Sequence, residues 1–182
     1  MRIIAGTAKG RALATPKDAR TIRPTSDRVR QSLFNVLGQW CEGEVVLDLF
    51  SGTGALALEA LSRGAARAVL VDSGREGAAL SRKNAADLGF GAQAEVLELP
   101  AARAIEALGK RAEKFTLVFL DPPYAQRAIE DLLEALLAAG VLVEGARVVA
   151  EHSKKEPVAE AVGRLARLDQ RTFGDTAVSI FG

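Results

Sequence analysis

A chain of 182 residues with 48% hydrophobic and 26% charged residues has the composition of a globular domain with a short appendage, which excludes disordered, collagen-like and coiled-coil classes. The formal net charge of +1 hides an asymmetry: residues 1–41 hold eight Lys/Arg against two acids, a net of +6, and the remainder holds sixteen against twenty-one, a net of −5. No apolar run approaches the roughly 18 residues of a membrane span, the start lacks the apolar stretch of a signal peptide, and a single cysteine (Cys41) with a single histidine (His152) makes neither a disulfide nor a zinc cluster, so a cytoplasmic protein without metal or membrane is expected.

In chain order, residues 2–5 and 11–14 predict a small β-hairpin across the turn from Gly6 to Gly10. A helix follows, opened by Pro24 and Thr25, with Asp27 in its first turn and Val29, Leu33, Val36, Leu37 and Trp40 as one apolar stripe. Arg28 and Arg30 lie off that stripe. From residue 44, short aliphatic runs alternate with alanine- and leucine-rich helical patterns, the signature of βαβ units and a parallel sheet. The predicted strands are 45–50, 68–72, 94–97, 116–120 and 146–151, then a weaker pair at 165–172 and 176–181 joined through Gly174-Asp175. The predicted helices are 55–62, 77–88, 101–111 and 128–138, with Gly64, Gly89 and Gly140 where helices stop. The fold class is therefore α/β, a doubly wound, Rossmann-like and mostly parallel seven-stranded sheet with an antiparallel C-terminal hairpin strand. Residues 1–41 form a basic N-terminal extension of β-hairpin and helix, and residues 42–182 form the main domain.

Two clusters could carry chemistry. The first, Asp48-Leu49-Phe50-Ser51-Gly52-Thr53-Gly54, runs from a buried strand through a glycine turn into a helix. Glycines let a backbone approach a ligand closely, and ligands bind at strand ends in open α/β sheets, although a plain tight turn has the same pattern. Asp72 ends the next strand eighteen residues after Gly54, where a carboxylate can accept both hydrogen bonds of a ribose diol. A dinucleotide would want a third glycine where Ala57 stands and no carboxylate beside the turn; an adenosine bearing a cationic group, such as S-adenosylmethionine, suits Asp48 better. NAD-type binding is the alternative.

The second cluster, Asp121-Pro122-Pro123-Tyr124, ends the fourth strand. Two prolines remove two amide donors and leave carbonyls facing outward, Asp121 adds an acceptor, and Tyr124 offers a flat ring. Such a site accepts two hydrogen bonds and stacks one ring, as an exocyclic NH₂ on a planar base requires; a rigid loop closing a strand is the bland alternative. An aromatic amine is a poor nucleophile because its lone pair is delocalised. Acceptors on its N–H groups favour a pyramidal nitrogen aimed at a methyl sulfonium, so orientation and preorganisation replace a strong base. This chemistry accommodates guanine or adenine.

The two motifs together resemble class I S-adenosylmethionine-dependent methyltransferases that modify amino groups. In the head, Arg2-Ile3-Ile4-Ala5-Gly6, Gly10-Arg11 and the run from Arg23-Pro24-Thr25-Ser26-Asp27-Arg28-Val29-Arg30 to Asn35 resemble the bacterial 16S rRNA guanine-N2 methyltransferase family, the RsmD family. Leu58-Glu59-Ala60-Leu61-Ser62-Arg63-Gly64-Ala65 and Phe173-Gly174-Asp175-Thr176 extend the likeness over nearly the whole chain. The resemblance implies transfer of a methyl group from S-adenosyl-L-methionine to the N2 of one guanine of 16S rRNA in the small ribosomal subunit or its assembly intermediate, by a monomer.

It places the methionine part of the cofactor at Asp48, Phe50, Ser51, Gly52, Thr53 and Gly54, the ribose at Asp72 and Ser73, and the target guanine at Asp121, Pro122, Pro123 and Tyr124. It places RNA near Arg11, Arg23, Arg28 and Arg30. Many relatives carry a polar residue two positions beyond the ribose carboxylate and an Asp or Asn at the end of the third strand. Here Gly74 and Pro100 occupy these stretches, which leaves Glu98 or the Leu99 backbone to read adenine. Two rival functions are a DNA adenine-N6 methyltransferase, which shares the Asp-Pro-Pro-Tyr motif, and a non-catalytic RNA-binding assembly factor. Elsewhere, Trp40 reads as core on the helical stripe, Cys41 as a small apolar residue ending that helix, and Lys154-Lys155 as a solvated turn. His152 has no triad partner in sequence.

Overall fold

The computed structural model describes residues 1–16, 27–122 and 128–182. Arg23, Pro24, Thr25, Pro123 and Tyr124 therefore lie outside the described residues. The chain runs α1 (Asp27–Leu37), β1 (Val45–Leu49), α2 (Ala55–Ser62), β2 (Arg67–Asp72), α3 (Arg75–Leu88), β3 (Ala94–Glu98), α4 (Ala101–Lys110), β4 (Phe115–Leu120) and α5 (Ala128–Ala138). It closes with β5 (Leu142–Ser153), β6 (Ala161–Val162), β7 (Leu165–Phe173) and β8 (Thr176–Phe181). The strands form one sheet in the order β3-β2-β1-β4-β5-β8-β7-β6. The sheet is parallel from β3 to β5 and antiparallel from β8 onward. The sheet is doubly wound, as expected. Its eight described strands exceed the seven expected because the two-residue β6 pairs with the start of β7 across Gly163-Arg164, too short a run for alternation to register in sequence.

Alternation along the strands builds two cores. Leu47, Leu49, Val69, Val71, Val118, Leu120, Val148 and Ala150 face α4 and α5. Val46, Leu70, Leu117, Phe119, Val149 and Val178 face α2, α3 and the N-terminal head. The head contributes Ile3, Leu13, Leu33, Phe34, Leu37 and Cys41 to this second core, so its described residues are packed into the sheet. Phe34 of α1 packs against Phe119 with ring centroids 6.0 Å apart and planes tilted by 55°. The predicted hairpin is a narrow ribbon around one bridge, Arg2↔Ala12. Gly6, at φ 81, fits where a side chain would collide with the Ser62 carbonyl, and Thr7 N and Ala8 N donate to Ser62 O and Oγ at 2.8 and 3.0 Å.

Head and sheet are joined by a buried ion cluster. Glu59, on α2, has no exposed side-chain surface; it accepts the backbone N–H groups of Ile4 and Ala5 at 2.8 and 3.0 Å, pairs with Arg63 at 2.8 Å and lies 3.5 Å from Arg30. Arg63 also donates to Gln39 O at 2.9 Å and sits 4.5 Å over the Phe34 ring. Arg30 is fully buried, bonded to Asp27 at 3.0 Å and to Arg2 O. Its assignment to RNA is thus corrected: lying off the apolar stripe turned it toward a buried carboxylate instead of solvent. Trp40 is corrected as well, being 63% exposed. Gly38, at φ 97, ends α1 after Leu37, so the helical spacing that projected Trp40 onto the stripe no longer applies. Cys41 is buried beyond the helix, and desolvation raises its thiol to about 11.

Candidate active site

The C-terminal ends of β1, β2, β3, β4 and β5 meet along one edge of the parallel sheet, the edge at which open α/β sheets bind ligands. Strand alternation decides which way their side chains go. Asp48 is two residues on from Val46 and Asp72 two on from Leu70, so both carboxyls take the face shared with the head. Beyond β1 the chain turns sharply, with Phe50, Gly52 and Gly54 all at positive φ of 70, 53 and 79. A side chain at Gly54 would meet Leu70 at 2.8 Å.

The loop is pinned from three sides. Ser51 N donates to Val71 O at 2.9 Å, and Gly52 N donates to Asp72 Oδ2 at 2.8 Å. Ser81 of α3 donates to Gly52 O at 3.0 Å and lies 3.1 Å from Ser51 Oγ. Asn84 donates to Thr53 O at 2.8 Å and to Ala14 O at 3.0 Å, while its Oδ1 accepts Ala14 N at 2.7 Å. Ser81 and Asn84 are functional supports that sequence reasoning missed. Their signal was two polar residues three apart on the buried face of an alanine-rich helix.

Asp72 accepts Gly52 N on one oxygen and Gly74 N, at 2.7 Å, on the other. Each oxygen keeps a further lone pair, so the carboxylate is held in one orientation with capacity for a diol. A side chain at Gly77 would collide with Asp72 at 2.6 Å, so the start of α3 approaches it as closely as glycine allows. Asp48 is fully buried beneath the turn, its Oδ2 accepting Ala57 N at 3.2 Å. Burial pushes its carboxyl up to about 7, against the lowering effect of the Ala57 N–H, with Asp72 adding repulsion. A cation above the turn would offset this cost. Ser51 and Thr53 are buried, Ser73 is exposed, and Glu98 is exposed beside Arg82 at 3.4 Å. Leu99 N donates to Asp72 O at 3.1 Å, which commits that donor and leaves the Leu99 carbonyl and exposed side chain beside the site.

Asp121 and Pro122 are half-buried at the end of β4, next to the turn after β1 through the register Leu49↔Leu120. Arg11 is exposed and donates to Asp87 O and, at 3.3 Å, to Leu88 O, closing the end of α3. Arg28 is exposed on α1. Lys154 bonds Gly174 O at 2.8 Å and pairs with Asp175 at 3.0 Å, a hairpin-turn role. Among the described residues no group of three or more His, Cys, Asp or Glu is placed to hold a metal ion, and no helix is long and apolar enough to cross a membrane.

The family described as Conserved hypothetical protein 95 matches residues 1–182 of this chain. The chain belongs to this family. Ribosomal RNA small subunit methyltransferase D of Escherichia coli (strain K12) is 38% identical over 181 residues, covering 100% of this chain and 89% of its own length. YlbH of Bacillus subtilis (strain 168) is also 38% identical over 181 residues, covering 100% and 98%. Among solved structures, YhhF of Escherichia coli superposes with a TM-score of 0.85 at 31% identity over 100% of this chain and 96% of that one. Both the match to the family and the superposition on YhhF extend over the N-terminal head as well as the sheet.

Proposed function

We propose that this chain is a cytoplasmic, monomeric enzyme that transfers a methyl group from S-adenosyl-L-methionine to the exocyclic N2 of a guanine in 16S rRNA of the small ribosomal subunit. The observation that carries the reading is the adjacency of two sites at one sheet edge: a pinned ribose-type carboxylate with its glycine turn, and Asp121-Pro122 one strand away. The residues fit the cofactor, since Asp72 has oriented lone pairs for a diol and Asp48 a buried carboxyl that a cation would favour ionised. When bound there, S-adenosylmethionine supplies an electrophilic methyl group.

This chain's own residues do the rest. Asp121 accepts one N–H of the target amine, and the carbonyl of Pro122 accepts the other. The nitrogen is thereby held with its lone pair directed at the methyl carbon. As the N–C bond forms, the carbon–sulfur bond of the bound cofactor breaks and the neutral thioether leaves, and the methylated nitrogen, made more acidic, loses its proton to Asp121 or to water. Preorganised acceptors of this type are worth about a hundredfold or more in turnover. The exposed Arg28 and the net charge of +6 on residues 1–41 supply the attraction for a polyanion.

The test incubates purified protein and labelled S-adenosylmethionine with small subunits lacking the modification, with naked rRNA and with duplex DNA, followed by nucleoside digestion and mass spectrometry. N2-methylguanosine from the subunits is expected. N6-methyladenine from DNA would overturn the substrate, and cofactor binding without transfer to any of the three would make the protein an assembly factor.

A further inference from the structure

The end of β5 brings a second carboxyl to the base side of the site. β4 and β5 are in parallel register at Phe119↔Val149 and Leu120↔Ala150, and Asp121 and Glu151 are the residues that follow this last pair. Phe119 and Val149 belong to the core under the head, and Leu120 and Ala150 to the opposite one. By alternation Glu151 takes the head-side face with Val149, and Val178, its antiparallel partner, lies on that face too, while Asp121 follows directly on Leu120, the last residue of β4. Neighbouring strands stand about 4.8 Å apart, so the two carboxyls can address adjacent atoms of one planar edge.

The strand end is rigid. His152, just after Glu151, is buried with Nε2 2.9 Å from Ser179 Oγ on β8 and Nδ1 3.0 Å from Ser153 O. Glu151 is thus held between β4 and β8, and His152, which showed no partner in the linear sequence, works as the peg.

We propose that Glu151 is a specificity-determining residue that selects guanine by accepting its N1–H while Asp121 accepts a hydrogen of the neighbouring N2 amine; this rests on the guanine reading above. Guanine presents two adjacent donors, N1–H and N2–H. Adenine presents its N6 amine beside a bare N1 acceptor, which a carboxylate repels and leaves without a partner. A site built to bond a donor rejects an analogue lacking it by large factors, because its own polar groups are left unpaired.

The test uses 2-aminopurine, which keeps the 2-amino group but has a bare N1. It is placed in reconstituted small subunits at the guanine that mass spectrometry identifies as methylated. The wild type is expected to prefer guanine by about a hundredfold or more in kcat/KM. In Glu151→Gln the side-chain amide can donate to a bare N1, so the guanine to 2-aminopurine ratio is expected to fall at least tenfold, with cofactor Kd by calorimetry and the thermal melt unchanged. A variant retaining the wild-type ratio, or a wild type that does not discriminate, would overturn the assignment of Glu151. A wild type that forms no N2-methylguanine from unaltered subunits would instead refute the underlying reaction.

Discussion

Removing the Glu59 carboxylate should loosen the head from the sheet, and its cost can be worked from the contacts. The group is fully buried, holds two backbone N–H groups and faces two guanidiniums that are themselves 0% and 1% exposed. Breaking a buried ion pair by deleting one partner costs about 3–5 kcal/mol, because a charge is left uncompensated. Each orphaned N–H adds about 1 kcal/mol or more, although Ile4 and Ala5 are near enough to the surface for water to recover part of it. The cluster has little slack, since among the described residues Arg30 Nε and Nη1 and Arg63 Nη2 have no hydrogen-bond partner.

Glu59→Ala is therefore expected to lose about 5 kcal/mol, a large share of the 5–15 kcal/mol that holds a typical domain. At about 2–4 °C per kcal/mol for a chain of this size, the Tm should fall by roughly 10–20 °C. The assay is thermal and urea denaturation followed by circular dichroism, with limited proteolysis to report whether residues 1–16 become cleavable before the sheet unfolds. A loss under about 1 kcal/mol would show instead that the cluster's attraction only balances its desolvation.

The two arginines of α1 should separate cleanly. Arg28→Glu is expected to weaken RNA binding and lower the salt slope by about one while sparing the melt, whereas Arg30→Glu sets a second buried carboxyl against Glu59 and should prevent stable folding; RNA affinity unchanged in Arg28→Glu would give the head a purely structural role. Asp121→Ala should leave cofactor Kd unchanged and lower kcat by about a hundredfold, and near-normal turnover would remove Asp121 from the mechanism. With its carboxyl pushed up to about 7, Asp48 holds a proton in the fold that the unfolded chain releases near pH 4, so this contribution is full below about pH 4 and is lost as pH rises through 7. Asp48→Asn keeps the acceptor for Ala57 N and should gain stability over the wild type between pH 5 and 8, up to about 4 kcal/mol; urea midpoints with the same pH dependence in both proteins would contradict a protonated Asp48.

Much of this architecture was legible from residues alone. The period-2 and period-3.6 patterns placed α2 and α5 to the residue and the parallel strands to within a few, because buried strands and amphipathic helices have local signatures. Asp48, Asp72 and Asp121 stood out because a carboxylate at the end of an apolar strand needs a reason. What local pattern could not carry was partnership. Arg30 and Glu59 are unremarkable residues in sequence, and only the packing of α1 on α2 turns them into a buried pair. Trp40 looked like core until Gly38 ended the helix, and the ends of β4 and β5, which carry Asp121 and Glu151, come side by side only through the register of the two strands. The elements, the glycine turn and the acceptor motif could be read from local pattern, since these depend on residues close in the chain. Which charges are buried, where the head docks and which strand ends lie side by side came only with the tertiary fold, since those depend on contacts between residues far apart in the chain.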